Sequence, residues 1–240
     1  MHFLGQVFGW LTTSDNWFGR DGLVHLLRQH LQVSAASLAV AIVIALPIGL
    51  ALGHFRTGGA IAINVSNAGR ALPTYAVLVL AVTVFGISGP RALWWTGSAA
   101  TFIALVLLGM PPIITNAYVG MVEVDRELVD AARGVGMRGR QVLVSVELPI
   151  ALPLVMAGIR TAALGVVATA TLASWTGYDT LGTPINVGIA VQDNVRIFGG
   201  ALLVAVLALL VEAGLALAQH LLVSPGLAAS DARAGFGRAR

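Results

Sequence analysis

Cysteine and lysine are both absent from the 240 residues, and charged side chains make up only 10% of them. The first absence excludes disulfides, thiolate metal sites and a cysteine nucleophile, and it leaves the redox compartment open. The second excludes a phosphate-cradling glycine-rich loop completed by lysine, so any ATP hydrolysis linked to this chain has to reside on another one. Scarce charge, set against 57% hydrophobic residues and a mean hydropathy of +0.86, leaves too little polar surface to cover a soluble domain. The composition predicts an integral membrane protein in contact with lipid. All fourteen basic residues are arginine, spread over several membrane-flanking loops. Despite the net charge of +3, that spread reads as a topology signal and not as a nucleic-acid footprint.

At about 20 apolar residues per span, the length suits one all-α bundle of about five helices, with six as the second reading. Residues 1–32 lack the basic start, apolar run and small-residue cleavage site of a signal peptide, and are expected to form an extracytoplasmic or interfacial segment. Residues 33–223 are expected to form the transmembrane domain, with spans near Val33–Gly53, Ala60–Phe85, Thr96–Met121, Pro149–Ala173 and Ile197–Val223. Arg70 and Pro73 predict a broken or kinked second span, and Pro111 and Pro112 a third that kinks or ends early. Residues 224–240, small, glycine-rich and arginine-bearing, are expected to be a disordered cytoplasmic tail.

One polar stretch interrupts this apolar chain, an insert over 123–149 between the third and fourth spans. Asp125 is a good helix N-cap, Glu127 adds negative charge to the first turn, and Leu128, Ala131, Ala132 and Val135 form a small apolar face. Gly134 and Gly136 are expected to end this helix, and a second to run from about Arg138 to Pro149. Periodicity alone also allows a solvated connector or a membrane-surface helix. If the insert is cytoplasmic, that side collects Arg56, Arg126, Arg133, Arg138, Arg140, Arg233, Arg238 and Arg240, against Arg20, Arg28, Arg91 and Arg196 on the other. The bias predicts an outside N-terminus and a cytoplasmic C-terminus in a bacterial cell membrane.

The segment from Asp130 to Pro149 resembles the EAA motif of permease subunits of bacterial ABC importers. That motif has an acidic residue and two alanines, then three residues, a glycine, nine residues, an apolar residue, any residue, leucine and proline. Asp130, Ala131, Ala132, Gly136, Val146, Leu148 and Pro149 fill those places without insertion or deletion, with Asp for Glu and Val for Ile as the departures. Looser similarity in Asn67–Leu80, Ile159–Gly177 and Leu181–Ile189 points to the osmoprotectant branch, which carries glycine betaine, carnitine, choline or proline. The resemblance implies a MetI-like, type I importer permease fold. It also implies an ATPase-coupling role for Asp130, Ala131, Ala132, Arg133, Gly136, Leu148 and Pro149. The implied partners are a cytoplasmic ABC ATPase dimer that binds the ATP and Mg, a second permease copy or paralogue, and an extracytoplasmic solute-binding protein. No cofactor, metal or nucleic acid is expected on this chain, and it is expected not to be an enzyme.

Within the spans, Arg160 and Glu212 are costly in apolar runs and lie at similar depth, roughly 16 Å at ~1.5 Å per residue. A static ion pair, independent snorkelling and a moving gate all remain open for them. Arg70, Pro73, Thr74 and Tyr75 mark a helix break that would line a solute path, or else an arginine capping broken-helix carbonyls. Thr169 and Trp175 are further path candidates, with Tyr178 nearby, since quaternary ammonium groups favour aromatic faces. Aromatic residues at that depth also serve as interfacial anchors. The five histidines show no ligand spacing and are expected at the surface. An ion-coupled transporter, an amino-acid or methionine importer permease and a membrane enzyme are the alternatives. The last has no catalytic cluster to support it.

Overall fold

A computed structural model describes residues 2–19, 21–60, 64, 74–85 and 99–223, without the side chains of residues 74, 75 and 85. No strand occurs among the described residues. In chain order the helices are α1 (His2–Thr12), α2 (Leu23–His54), α3 (Thr74–Phe85), α4 (Ala99–Val122), α5 (Arg126–Gly134), α6 (Gly139–Val142), α7 (Leu148–Thr169), α8 (Thr183–Val191) and α9 (Asn194–Leu222). A π turn over Leu143–Glu147 joins α6 to α7, and a 3-10 helix over Ala170–Thr176 extends α7.

Among the described residues, four continuous helical stretches are long and apolar enough to cross a membrane: Leu23–His54, Ala99–Val122, Gly139–Thr176 and Asn194–Leu222. Residues 61–63 and 65–73 of the expected second span lie outside the described residues, which include its last part, α3. The first helix begins at Leu23, well before the expected Val33, because Leu23 and Leu26 pack with Val167, Leu181 and Leu207. Pro111 and Pro112 do not end the third span, since α4 runs through both to Val122. Near the middle of a lipid-embedded helix, carbonyls freed by proline are covered by neighbouring helices, and here α2 and α7 flank α4 on both sides.

Small residues set that close packing. Ala41, Ala45, Gly49 and Gly53 recur every fourth residue along α2 and are all buried. A Cβ at Gly49 would come within 2.7 Å of Ala117 Cβ and 2.8 Å of the Ile114 carbonyl oxygen on α4. On the other side, a Cβ at Gly158 of α7 would meet Asn116 Cβ at 2.7 Å and the Pro112 carbonyl oxygen at 2.8 Å. The three helices therefore touch nearly backbone to backbone, with Ile113, Met121, Val155 and Ile159 filling the remaining space. By contrast, α9 buries little and turns Leu202, Val206, Leu209, Leu210 and Leu217 outward, a surface fit for lipid or another apolar helix.

The two ends of the bundle differ in chemistry. One end gathers α1, the start of α2, the 3-10 helix, α8 and the start of α9, and a cleft of about 420 Å³ there is lined by Trp10, Asp15, Asp21, Thr183 and Arg196 among others. The opposite end gathers the end of α2 with the insert, where His54, Arg56, Arg126, Asp130, Arg133 and Glu147 surround a polar pocket.

Candidate functional site

The insert is built from local rules. Asp125 caps α5, its carboxylate accepting from the Glu127 backbone N–H at 2.9 Å. The helix stops after Gly134, and Gly136 takes a φ of +90°, a conformation in which a Cβ is strained. The N–H of Met137 returns to the Ala132 carbonyl at 3.1 Å, closing the turn. The backbone N–H of Arg138 donates to Gln141 Oε1 at 2.8 Å, starting α6.

Here the structure corrects two expectations. The second insert helix does not stop at Pro149 but runs on into the membrane as one stretch, Gly139–Thr176. Pro149 lacks the N–H that would close a regular turn and its ring crowds the carbonyl four residues back. The turn widens instead, and the Leu148 N–H reaches the Leu143 carbonyl. The apolar face of α5 is also divided differently. Val129 and Ala132 are buried with Val124 and Val142, backed by Met137, Val146 and Ile150. Leu128, Ala131 and Val135 face outward with Asp130, Arg133 and Gly136, joined by Val144 further on. Leu148 is half-buried and Pro149 exposed at the root of α7. The insert is thus a packed two-helix unit with a cohesive inner side and a mixed apolar and charged outer side.

The end of α2 holds this unit from the flank. His54 Nδ1 meets Glu147 Oε2, and the Glu147 side chain is only 4% exposed. Arg56 Nη2 donates to the Val124 carbonyl at 2.7 Å, and Arg56 itself has a φ of +50°. Sequence reasoning missed the His54–Glu147 contact and expected histidines at the surface. His54 is largely covered, and His30 is fully buried with Nε2 2.9 Å from the Val167 carbonyl oxygen. The available signal was a carboxylate at position 147 in an otherwise apolar approach to a span, which requires a partner.

In the membrane the structure brings Arg160 and Glu212 together. Arg160 Nε donates to Glu212 Oε1 at 2.9 Å, Nη2 reaches the same oxygen, and Nη1 donates to Gln219 Oε1 at 2.8 Å. Glu212 and Gln219 stand two turns apart on α9, so one guanidinium fork ties α7 to α9 along a single face.

At the far end, Thr169 is half-buried on the last turn of α7, and Trp175 is 57% exposed on the 3-10 helix. Tyr178 packs against Val33, Leu105, Val166 and Ala170. Burial pushes its phenol above the ordinary value, and Arg28 pulls it partly back. Side-chain hydroxyls brace the tightened segment: Thr180 Oγ1 donates to the Ala170 carbonyl at 3.1 Å, and Thr101 and Thr176 meet at 2.7 Å. Arg70 and Pro73 lie outside the described residues. Thr74 and Tyr75 open α3, their side chains likewise undescribed.

Spans packed through small residues, an intramembrane charge pair and a compact polar insert at one end define a multi-pass membrane transport subunit. Residues 39–224 match the family model of the binding-protein-dependent transport system inner membrane component, and the chain belongs to that family. The glycine betaine/carnitine/choline transport system permease protein OpuCB of Bacillus subtilis (strain 168) is 31% identical over 205 residues, 85% of this chain and 90% of that protein. The carnitine transport permease protein OpuCB of Listeria monocytogenes is 33% identical, covering 86% and 90%. The osmoprotectant import permease protein OsmY of Salmonella typhimurium is 34% identical, covering 81% and 79%. Among solved structures, the methionine ABC transporter MetNI in an inward-facing conformation superposes with a TM-score of 0.69 at 21% identity, covering 84% of this chain and 96% of that one. That likeness shows the fold, which this chain shares with the matched chain of that transporter.

Proposed function

We propose that this permease subunit forms the translocation path for a compatible solute, namely glycine betaine, choline, carnitine or proline, in an ATP-driven importer. The observation that carries the reading is the agreement between the insert's EAA spacing and relatives named as permeases for such solutes. A methionine importer is less favoured, because the methionine transporter resembles this chain in fold at only 21% identity. An ion-coupled carrier is disfavoured by membership of a binding-protein-dependent family.

In this reading the insert sits on the cytoplasmic side, and its outer side, with Asp130, Ala131, Arg133, Gly136 and Pro149 and the half-buried Leu148, docks on an ABC ATPase dimer that binds the ATP and Mg, while Ala132, expected in that surface, is buried and packs the insert from within. ATP-driven closure of the ATPases moves the insert, and the attached spans rock between inward-open and outward-open arrangements. A second permease copy or paralogue completes the path, and a solute-binding protein delivers cargo at the α1, α8 and α9 end. Thr169 and Trp175 line the route. The Arg160–Glu212 pair serves as a fixed tie between helices.

The test is uptake of labelled glycine betaine, choline, carnitine and proline by liposomes holding the chain with its ATPase and binding protein. ATP-dependent uptake of at least one is expected. Uptake by the chain without an ATPase would overturn the reading, as would a complex that hydrolyses ATP and moves none of the four.

A further inference from the structure

The insert's own flanking helices, α4 and α7, are the obvious route by which it moves the bundle. The end of α2 supplies another. His54, the last residue of α2, meets Glu147 where the insert leaves for the membrane, and Arg56 holds the Val124 carbonyl where the chain enters the insert. The two grips are on opposite ends of one unit, and they come from the last residue of α2 and the turn that follows it, with no covalent link to the unit nearby.

Close packing fixes the end of α2. Gly53, one residue before His54, leaves no room for a Cβ against Met121 on α4, the helix that leads into the insert. Glu147 is buried inside the widened π turn, so a displacement of the insert relative to α2 would strip the carboxylate of its partner in a covered site. The arrangement resists sliding and transmits force.

We infer that His54 and Glu147, with Arg56, are positioning residues that clamp α2 to the coupling insert, so that ATPase motion reaches α2 directly and not only through α4 and α7. This rests on the ATP-driven importer reading. The clamp acts on transmission rather than docking, since Glu147 is buried and His54 largely covered while Leu128 and Val135 face out, with Asp130 and Arg133 at the rim of the polar pocket between them.

The experiment uses the assembled complex in liposomes and measures ATPase retention on purification together with solute taken up per ATP hydrolysed. Glu147→Gln, isosteric and uncharged, and His54→Ala are expected to keep the ATPase bound while uptake per ATP falls about tenfold, within the usual range of coupling effects. The exchange His54→Glu with Glu147→His is expected to recover part of the loss. An unchanged ratio in Glu147→Gln, or loss of ATPase retention in step with uptake, would overturn the clamp.

A second measurement is independent of cargo. Because the chain has no cysteine, Thr57→Cys with Ser145→Cys places two spin labels across the junction at exposed positions. The clamp predicts a narrow distance distribution that is the same with and without ATP, and broadening in Glu147→Gln. A distance that shifts with nucleotide in the otherwise wild-type complex would refute it. Failure of the complex to move any of the four solutes, with these distances behaving as expected, would count against the cargo reading alone.

Discussion

Arg160 and Glu212 show how a single residue is constrained by lipid. Both lie on helices long and apolar enough to cross a membrane, where an unpaired charge is costly, and the Arg160 fork finds two partners on α9, Glu212 and Gln219. Removing one member leaves the other charge without compensation, whereas removing both leaves a less polar contact of similar shape. Glu212→Gln is expected to lower the thermal midpoint of the purified subunit by about 5 °C, and Arg160→Gln with Glu212→Gln together to recover most of it. Thermal unfolding in detergent followed by intrinsic tryptophan fluorescence reads both, and a double variant no better than the single ones would argue against pairing. This contact was legible because two charges stood alone in apolar runs at matched depth. The His54–Glu147 contact was legible only in part, since Glu147 in an apolar approach to a span requires a partner but nothing near it in sequence points to His54. Their meeting also depends on α2 ending beside the π turn, which no local pattern encodes.

At the scale of elements, helix identity followed from composition, while helix ends followed from contacts. Apolar periodicity and the Asp125 cap placed α5 correctly. The onset of α2 was missed because Leu23 and Leu26 gain their value from α7 and α9, far away in sequence. The outer side of α5 was only partly legible, since which of Leu128, Val129, Ala131 and Ala132 faces inward depends on where α6 folds back. If that side docks an ATPase as proposed, Leu128→Glu is expected to reduce ATPase co-purification by at least about tenfold without affecting insertion, the loss seen when a residue that anchors an interface, worth about 2 kcal/mol or more, is replaced. Gly136→Leu should act in the same direction by straining the left-handed turn that sets α5 against α6. Quantifying bound ATPase per subunit on size-exclusion chromatography checks both, and normal retention in either would weigh against docking through this side. Packing between spans makes a separate prediction. Gly158→Val would press a branched side chain onto Asn116 and the Pro112 carbonyl, and is expected to destabilise the α4–α7 contact by about 1–3 kcal/mol. A Gly158→Val subunit that melts like wild type would show that the two helices are less tightly joined than these distances require.

Taken whole, the molecule has two chemically distinct ends, and the arginine count and the fold bear on the same question from different sides. The chain order carries α2 from the α1 end to the insert end, α4 to the insert, α7 away from it, and α9 back towards it. The insert end holds Arg56, Arg126, Arg133, Arg138 and Arg140, while the described residues of the other end contribute Arg28 and Arg196. Cytoplasmic retention of arginine is expected to orient the entire bundle with the insert inside the cell, because no helix can reverse alone once its neighbours are packed through glycine. The absence of cysteine makes this directly measurable. Ser14→Cys and Ser145→Cys each introduce one exposed thiol, at opposite ends. In intact spheroplasts a membrane-impermeant maleimide is expected to label Ser14→Cys within minutes and to leave Ser145→Cys unlabelled until the membrane is permeabilised. The reverse pattern would put the insert outside the cell, out of reach of any cytoplasmic ATPase, and would remove the physical basis for ATP-driven transport through it.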